Sequence, residues 1–178
     1  MGKKLIQLIV NRHFSNKTVG LLGVPLCKGQ PRGGVENGPN TLREAGLVDR
    51  LKKYNSNITD LGDVDISDFK EPIGKIRNPL GVGRNMETLA QRVESEMLKY
   101  HTVINIGGDH SMAIGTIAGH AKSLGKAPAI IWVDAHADIN TPESTWSGNL
   151  HGQPVSFLMR EVAEKSIQDS DLTFYRLD

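Results

Sequence analysis

Asp134, His136 and Asp138 form an Asp-x-His-x-Asp unit directly after the apolar run Ala129-Ile130-Ile131-Trp132-Val133. If the backbone stays extended, alternate side chains share a face, so one imidazole and two carboxylates would converge. Two carboxylates with one imidazole suit a hard-to-borderline divalent cation such as manganese better than a thiolate-preferring zinc site. Bridging carboxylates can also hold two cations roughly 3.5 to 4 Å apart, as in two-metal hydrolases. The competing reading is a solvated polar loop after a strand. It accounts for Asp134 alone, but poorly for three metal-competent residues at period two.

Two further segments carry chemistry. Gly107-Gly108-Asp109-His110-Ser111 follows another apolar run and opens a helical pattern. Taken singly, His110 is more often structural, but from a neighbouring strand end it could reach the same metal position. Asp109 then reads as a carboxylate behind the ligands or at the helix N-terminus. In Ser147-Gly148-Asn149-Leu150-His151-Gly152, an imidazole between glycine-flexible segments could shuttle a proton near neutral pH. From that segment alone, a surface histidine is an equal reading.

The elements that must position these residues alternate strand and helix. Val19–Val24 is a short apolar strand pattern ending at Pro25, followed by a loop from Lys28 to Pro39 rich in glycine. A helix is predicted from Pro39 through Leu51, divided near Gly46. Residues 58–65 hold a second strand pattern, and Glu87 to Tyr100 a helix with apolar Leu89, Val93, Met97 and Tyr100 on one face. His101–Ile106 reads as a strand, and Met112–Leu124 as a helix whose small residues suit close packing on a sheet. Residues 129–133 read as a strand buried on both faces, and Val155–Glu164 as a further helix. The expected fold class is therefore α/β: a three-layer α/β/α arrangement with a mostly parallel sheet. Such sheets place their chemistry at the carboxyl ends of the strands, where both histidine motifs fall.

Composition fits this picture. The chain has 178 residues, 38% hydrophobic and 23% charged, which suits one globular domain rather than a disordered chain. A net charge of +1 with mixed signs gives no basic face for nucleic acid. Cys27 is the single cysteine, so no internal disulfide forms, and a reducing compartment is expected. No apolar run reaches the roughly 18 to 20 residues of a membrane span. Residues 1–18 form a basic extension without acidic residues, set apart from a domain over 19–178. It reads either as a mitochondrial import segment or as a tail, so cytoplasmic and mitochondrial locations both stand.

Together, Gly107–Ser111 (GGDHS), Trp132–Pro142 (WVDAHADINTP), Ser147–Phe157 (SGNLHGQPVSF) and the upstream Gly23–Leu47 resemble the arginase family of ureohydrolases, over about residues 19–160. The resemblance implies two Mn2+ ions, with His110 on one and His136 on the other, and Asp134 and Asp138 bridging them. It assigns catalysis to Asp138 and His151, the latter as proton carrier. The implied reaction is attack of a metal-activated hydroxide on the guanidinium carbon of L-arginine, releasing L-ornithine and urea. Asn140, Thr145 and Ser147 match positions that hydrogen-bond the substrate α-carboxylate, a group agmatine lacks. A homo-oligomer, specifically a trimer, is implied for the full-length form.

The pattern also departs from the family. Members are longer and supply a later Asp-x-Asp metal motif. Here the remaining such spacings are Asp63-Val64-Asp65, which precedes the metal strands, and Asp169-Ser170-Asp171, in a polar tail. The expectation is an N-terminal portion, with the fold incomplete on its C-terminal side. The alternative to an active enzyme is a catalytically inactive short form that binds metal weakly or associates with other subunits. A related metal-dependent amidohydrolase or deacetylase is a third reading, disfavoured by the carboxylate-binding trio.

Overall fold

A computed structural model describes residues 17–71 and 73–159. Most of the basic extension, the end of the helix expected over Val155–Glu164, and Asp169–Asp171 lie outside those residues. Among the described residues, three strands form one parallel sheet in the order β2-β1-β3: β1 (Val19–Val24), β2 (Ile58–Asp63) and β3 (Thr102–Gly107). β1 pairs Val19 with Ile58 on one side and with Thr102 on the other. Having neighbours on both edges, β1 is buried along its whole length, as its unbroken apolar sequence predicts.

Among the described residues, five α-helices connect and cover the strands: α1 (Gly38–Glu44), α2 (Leu47–Lys52), α3 (Pro79–Met97), α4 (Met112–Leu124) and α5 (Pro154–Leu158). The division expected near Gly46 separates α1 from α2, and Gly46 takes φ 80°, a left-handed conformation most side chains resist. The chain steps from β1 to β2 in one direction and back across β1 to β3 in the other. Connections of one hand running in opposite directions cover opposite faces, which gives the three-layer α/β architecture.

The main core lies on the α3–α4 face. Leu22 and Val24 project from β1 into a cluster with Val82, Met86, Leu89, Val93 and Ile114. Burying each such side chain contributes roughly 1.5 to 3 kcal/mol. α3 starts eight residues before the expected Glu87. Its first two turns contain Gly81 and Gly83, which weaken the sequence signal, but tertiary contacts offset that cost. The Glu71 carboxylate accepts hydrogen bonds from the N–H groups of Leu80 (3.0 Å) and Gly81 (2.6 Å), satisfying helix-end donors. The small residues of α4 pack against α3 rather than the sheet. A Cβ on Gly115 would lie 2.8 Å from the Met86 carbonyl oxygen, and one on Gly119 would strike that of Ala90.

One expected element is absent. Residues 129–133 form no strand, and Ile131 and Val133 are almost fully exposed. A strand of this kind needs hydrogen-bonded neighbours and helices over both faces. Among the described residues neither is supplied, and the outer edge of β3 is not taken up by this segment. No helix among the described residues is long and apolar enough to cross a membrane.

Candidate metal centre

The site sits at the carboxyl ends of β1 and β3. The turn after β3 is drawn against the loop after β1 by a hydrogen bond from Asp109 N–H to the Leu26 carbonyl (2.8 Å). Gly108 permits the approach, since a Cβ there would lie 2.5 Å from the Val24 carbonyl oxygen. This fixes His110 just before α4, where its ring stacks on Trp132 with centroids 4.7 Å apart and planes 22° from parallel. His110 Nδ1 lies 3.2 Å from Asp134 Oδ2 and 3.0 Å from Asp138 Oδ2.

The carboxylates converge by a route different from the extended one expected. The chain turns at Asp134, whose Oδ1 accepts a hydrogen bond from His136 N–H at 2.8 Å. That bond holds the Asp134 carboxyl below the usual carboxylate range against a slight opposing effect of burial, and the His110 and His136 imidazoles reinforce it. Asp138 takes φ 50°, a left-handed conformation that aspartate tolerates better than most residues. Its carbonyl is held by Val155 N–H from α5 (3.1 Å). With alternation broken, the His136 side chain is 82% exposed, its Nδ1 3.5 Å from Asp134 Oδ1. His110, Asp134 and Asp138 offer ligand atoms within 4.8 Å of one another, and His136 stands outside that group.

The donor set fits a divalent cation. Two carboxylates approach a single imidazole nitrogen, which can carry at most one proton between them. Asp138 is also nearly buried, and a buried carboxylate requires a compensating charge. Oxygen-rich coordination with one imidazole suits a hard-to-borderline ion.

The loop from Asn140 to Gln153 forms the neighbouring wall. Asn140 N–H and Nδ2 both donate to the Gly152 carbonyl (3.2 and 3.3 Å). Thr145 is buried and its hydroxyl accepts from Gly148 N–H at 3.1 Å, while Ser147 Oγ accepts from Asn149 N–H at 3.3 Å. The three expected substrate-contacting side chains therefore shape this loop, and the Thr145 hydroxyl is turned inward. Arg77 tethers the loop by its Nε to the Ser147 carbonyl (3.1 Å) and its N–H to that of Gly148 (2.9 Å). His151 is half-buried, its backbone N–H (3.0 Å) and Nδ1 (3.1 Å) both on the Gly29 carbonyl. Asp109 turns to Gly29 and Ser111. Its carboxylate accepts from Gly29 N–H (2.9 Å), Ser111 N–H (2.9 Å) and the Ser111 hydroxyl. Asp63 pairs with Arg43 at 2.6 Å and takes no part in the cluster.

Comparison with known proteins joins this geometry to a lineage. The sequence model of the Arginase family matches residues 17–172. The chain belongs to that family. It is 51% identical to arginase-1 of Oryctolagus cuniculus over 152 residues, covering 84% of this chain and 47% of that protein. Against arginase-1 of Homo sapiens it is 48% identical over 155 residues, with the same shares of 84% and 47%. The arginase of Entamoeba histolytica, solved in complex with L-ornithine, superposes with a TM-score of 0.73 at 33% identity, over 81% of this chain and 50% of that one. The Bacillus subtilis arginase gives 0.68 at 40% identity, over 80% and 47%. The chain thus spans about half the length of the curated relatives it matches.

Two residues that touch the site had no role in the sequence reading. Trp132 was expected inside a buried strand, yet it forms the plate on which His110 rests. Gly29 holds both the Asp109 carboxylate and His151. The only sequence signal for Gly29 was the glycine density of its loop, which announces close approach without naming a partner.

Proposed function

We propose that this chain contributes the N-terminal half of an arginase site, hydrolysing L-arginine to L-ornithine and urea with manganese. The observation that carries this reading is the convergence of His110, Asp134 and Asp138 in a chain of the arginase family. In this reading these three residues, joined by His136 from the same loop, hold two Mn2+ ions. The bound ions would supply Lewis-acid activation of a water molecule for attack on the guanidinium carbon. His151 carries a proton to the departing amine, its Nε2 left free by the Nδ1 contact with Gly29. Asn140, Thr145 and Ser147 orient the α-carboxylate, which requires the Thr145 hydroxyl to leave its bond with Gly148. The test is urea release from L-arginine, with agmatine as comparison, by purified chain saturated with Mn2+. Urea from arginine alone supports the reading; none at saturating metal contradicts it for this chain.

A second reading is favoured by His136 standing 82% exposed outside the cluster. It is an inactive form that binds metal weakly, and Mn2+ binding without urea release would single it out. In either reading the full-length assembly is proposed to be a homo-oligomer, a trimer.

A further inference from the structure

The Asp109 carboxylate is buried, lies next to His110 in sequence, and spends its oxygens on Gly29 and Ser111 rather than on the cluster. Gly29 is held from both ends. Its N–H donates to Asp109 Oδ2 at 2.9 Å, while its carbonyl oxygen receives the backbone N–H and faces the Nδ1 of His151. These two groups belong to successive peptide units joined at a glycine Cα, the most freely rotating junction a chain offers. The carbonyl keeps its direction only while the preceding N–H is anchored. The contact also demands glycine, since a Cβ at 29 would lie 2.6 Å from Asp109 Oδ1 and strike Ser111.

From this we infer that Asp109 is a positioning residue that acts through Gly29 to fix the tautomer and orientation of His151. A carbonyl oxygen can only accept, so the 3.1 Å contact places the proton of the neutral ring on Nδ1. Nε2 then presents a lone pair. One carboxylate thereby ties the turn carrying His110 to the loop carrying His151, setting their relative placement. The inference deepens the proposed function, resting on its assignment of proton transfer to His151, but its test does not require turnover.

The experiment is imidazole nitrogen NMR of His151 in the purified chain, with Gly29 amide exchange read alongside. The wild type is expected to show protonated Nδ1, bare Nε2 and a slowly exchanging Gly29 amide. Asp109→Ala should mix the tautomers and speed Gly29 exchange by about 10-fold or more, the loss of one buried hydrogen bond. Asp109→Asn, which keeps an acceptor oxygen, should largely restore the Nδ1–H form. If Asp109→Ala does not fold, Gly29→Ala breaks the same tie by collision and should mix the tautomers too. A wild-type ring protonated on Nε2 overturns the inference, as does an unchanged tautomer in either alanine variant. Because these signals are independent of urea release, an inactive chain would count against the proposed function without deciding this point.

Discussion

Every residue of β1 is buried, whereas Ile130, Ile131 and Val133 stand 50%, 90% and 91% exposed, although the two runs are alike in sequence. β1 has a hydrogen-bonded strand on each edge, and α3 and α4 over one face. The run at 129–133 has neither, so its apolar side chains stay in water and it joins no sheet. Apolar character sets what a segment gains by burial; neighbours decide whether it is buried. The His110, Asp134 and Asp138 cluster nevertheless forms at the end of the exposed run, held by the Trp132–His110 stack, the turn at Asp134, and the bond from Val155 to Asp138.

The contrast is broken most forcefully by equal truncations in the two runs. Leu22→Ala should destabilise the chain by about 2 to 5 kcal/mol in urea unfolding, the cost of a core cavity. Ile131→Ala should change stability by no more than about 0.5 kcal/mol, since its side chain loses no packing. Equal losses at both sites would mean that residues 129–133 are buried in solution. A smaller effect is expected at Gly119, where α4 meets α3. Gly119→Ala should cost roughly 1 to 3 kcal/mol by overpacking against the Ala90 carbonyl, visible as a lowered Tm.

The exposed run has its own signature. Unpaired apolar strand-like segments invite association, so sedimentation of the wild-type chain should show self-association that rises with concentration. Replacing both Ile131 and Val133 by serine should reduce it; no change would place the sticky surface elsewhere. The smallest effect belongs to the edge strand β2, where Arg43 makes two hydrogen bonds to the Asp60 carboxylate at 2.8 and 3.0 Å. Although burial works against it, the Arg43 guanidinium and Gly62 N–H hold the Asp60 carboxyl below its ordinary value. A depressed carboxyl contributes stability above the unfolded pKa of about 3.9, lost as pH falls through the lower folded value. Arg43→Met should therefore cost about 1 kcal/mol at pH 7 and flatten the pH dependence of stability below about pH 4.

The sequence made most of the sheet legible because β1 and β3 are short apolar runs bounded by turn residues, β1 buried throughout and β3 half-buried. The start of α3 was hidden, since Gly81 and Gly83 favour helix poorly and the support comes from Glu71, which lies outside the helix in the preceding loop. The site was legible as chemistry: His110, Asp134 and Asp138 were all singled out and they converge. Their route was not, because period-two reasoning assumes an extended backbone that φ 50° at Asp138 breaks. The bend over residues 134–136 goes with His136 standing outside the group. Gly29 and Trp132 went unrecognised because their roles depend on contacts between distant segments.

The most direct test is Mn2+ binding to the purified 178-residue chain, followed by electron paramagnetic resonance with Asp138→Asn and His136→Ala alongside. Saturable binding by the wild type is expected, weakened at least about 10-fold by Asp138→Asn, with a smaller loss in His136→Ala. Failure of the wild type to bind at millimolar Mn2+, or full binding by Asp138→Asn, would contradict a metal centre built on His110, Asp134 and Asp138.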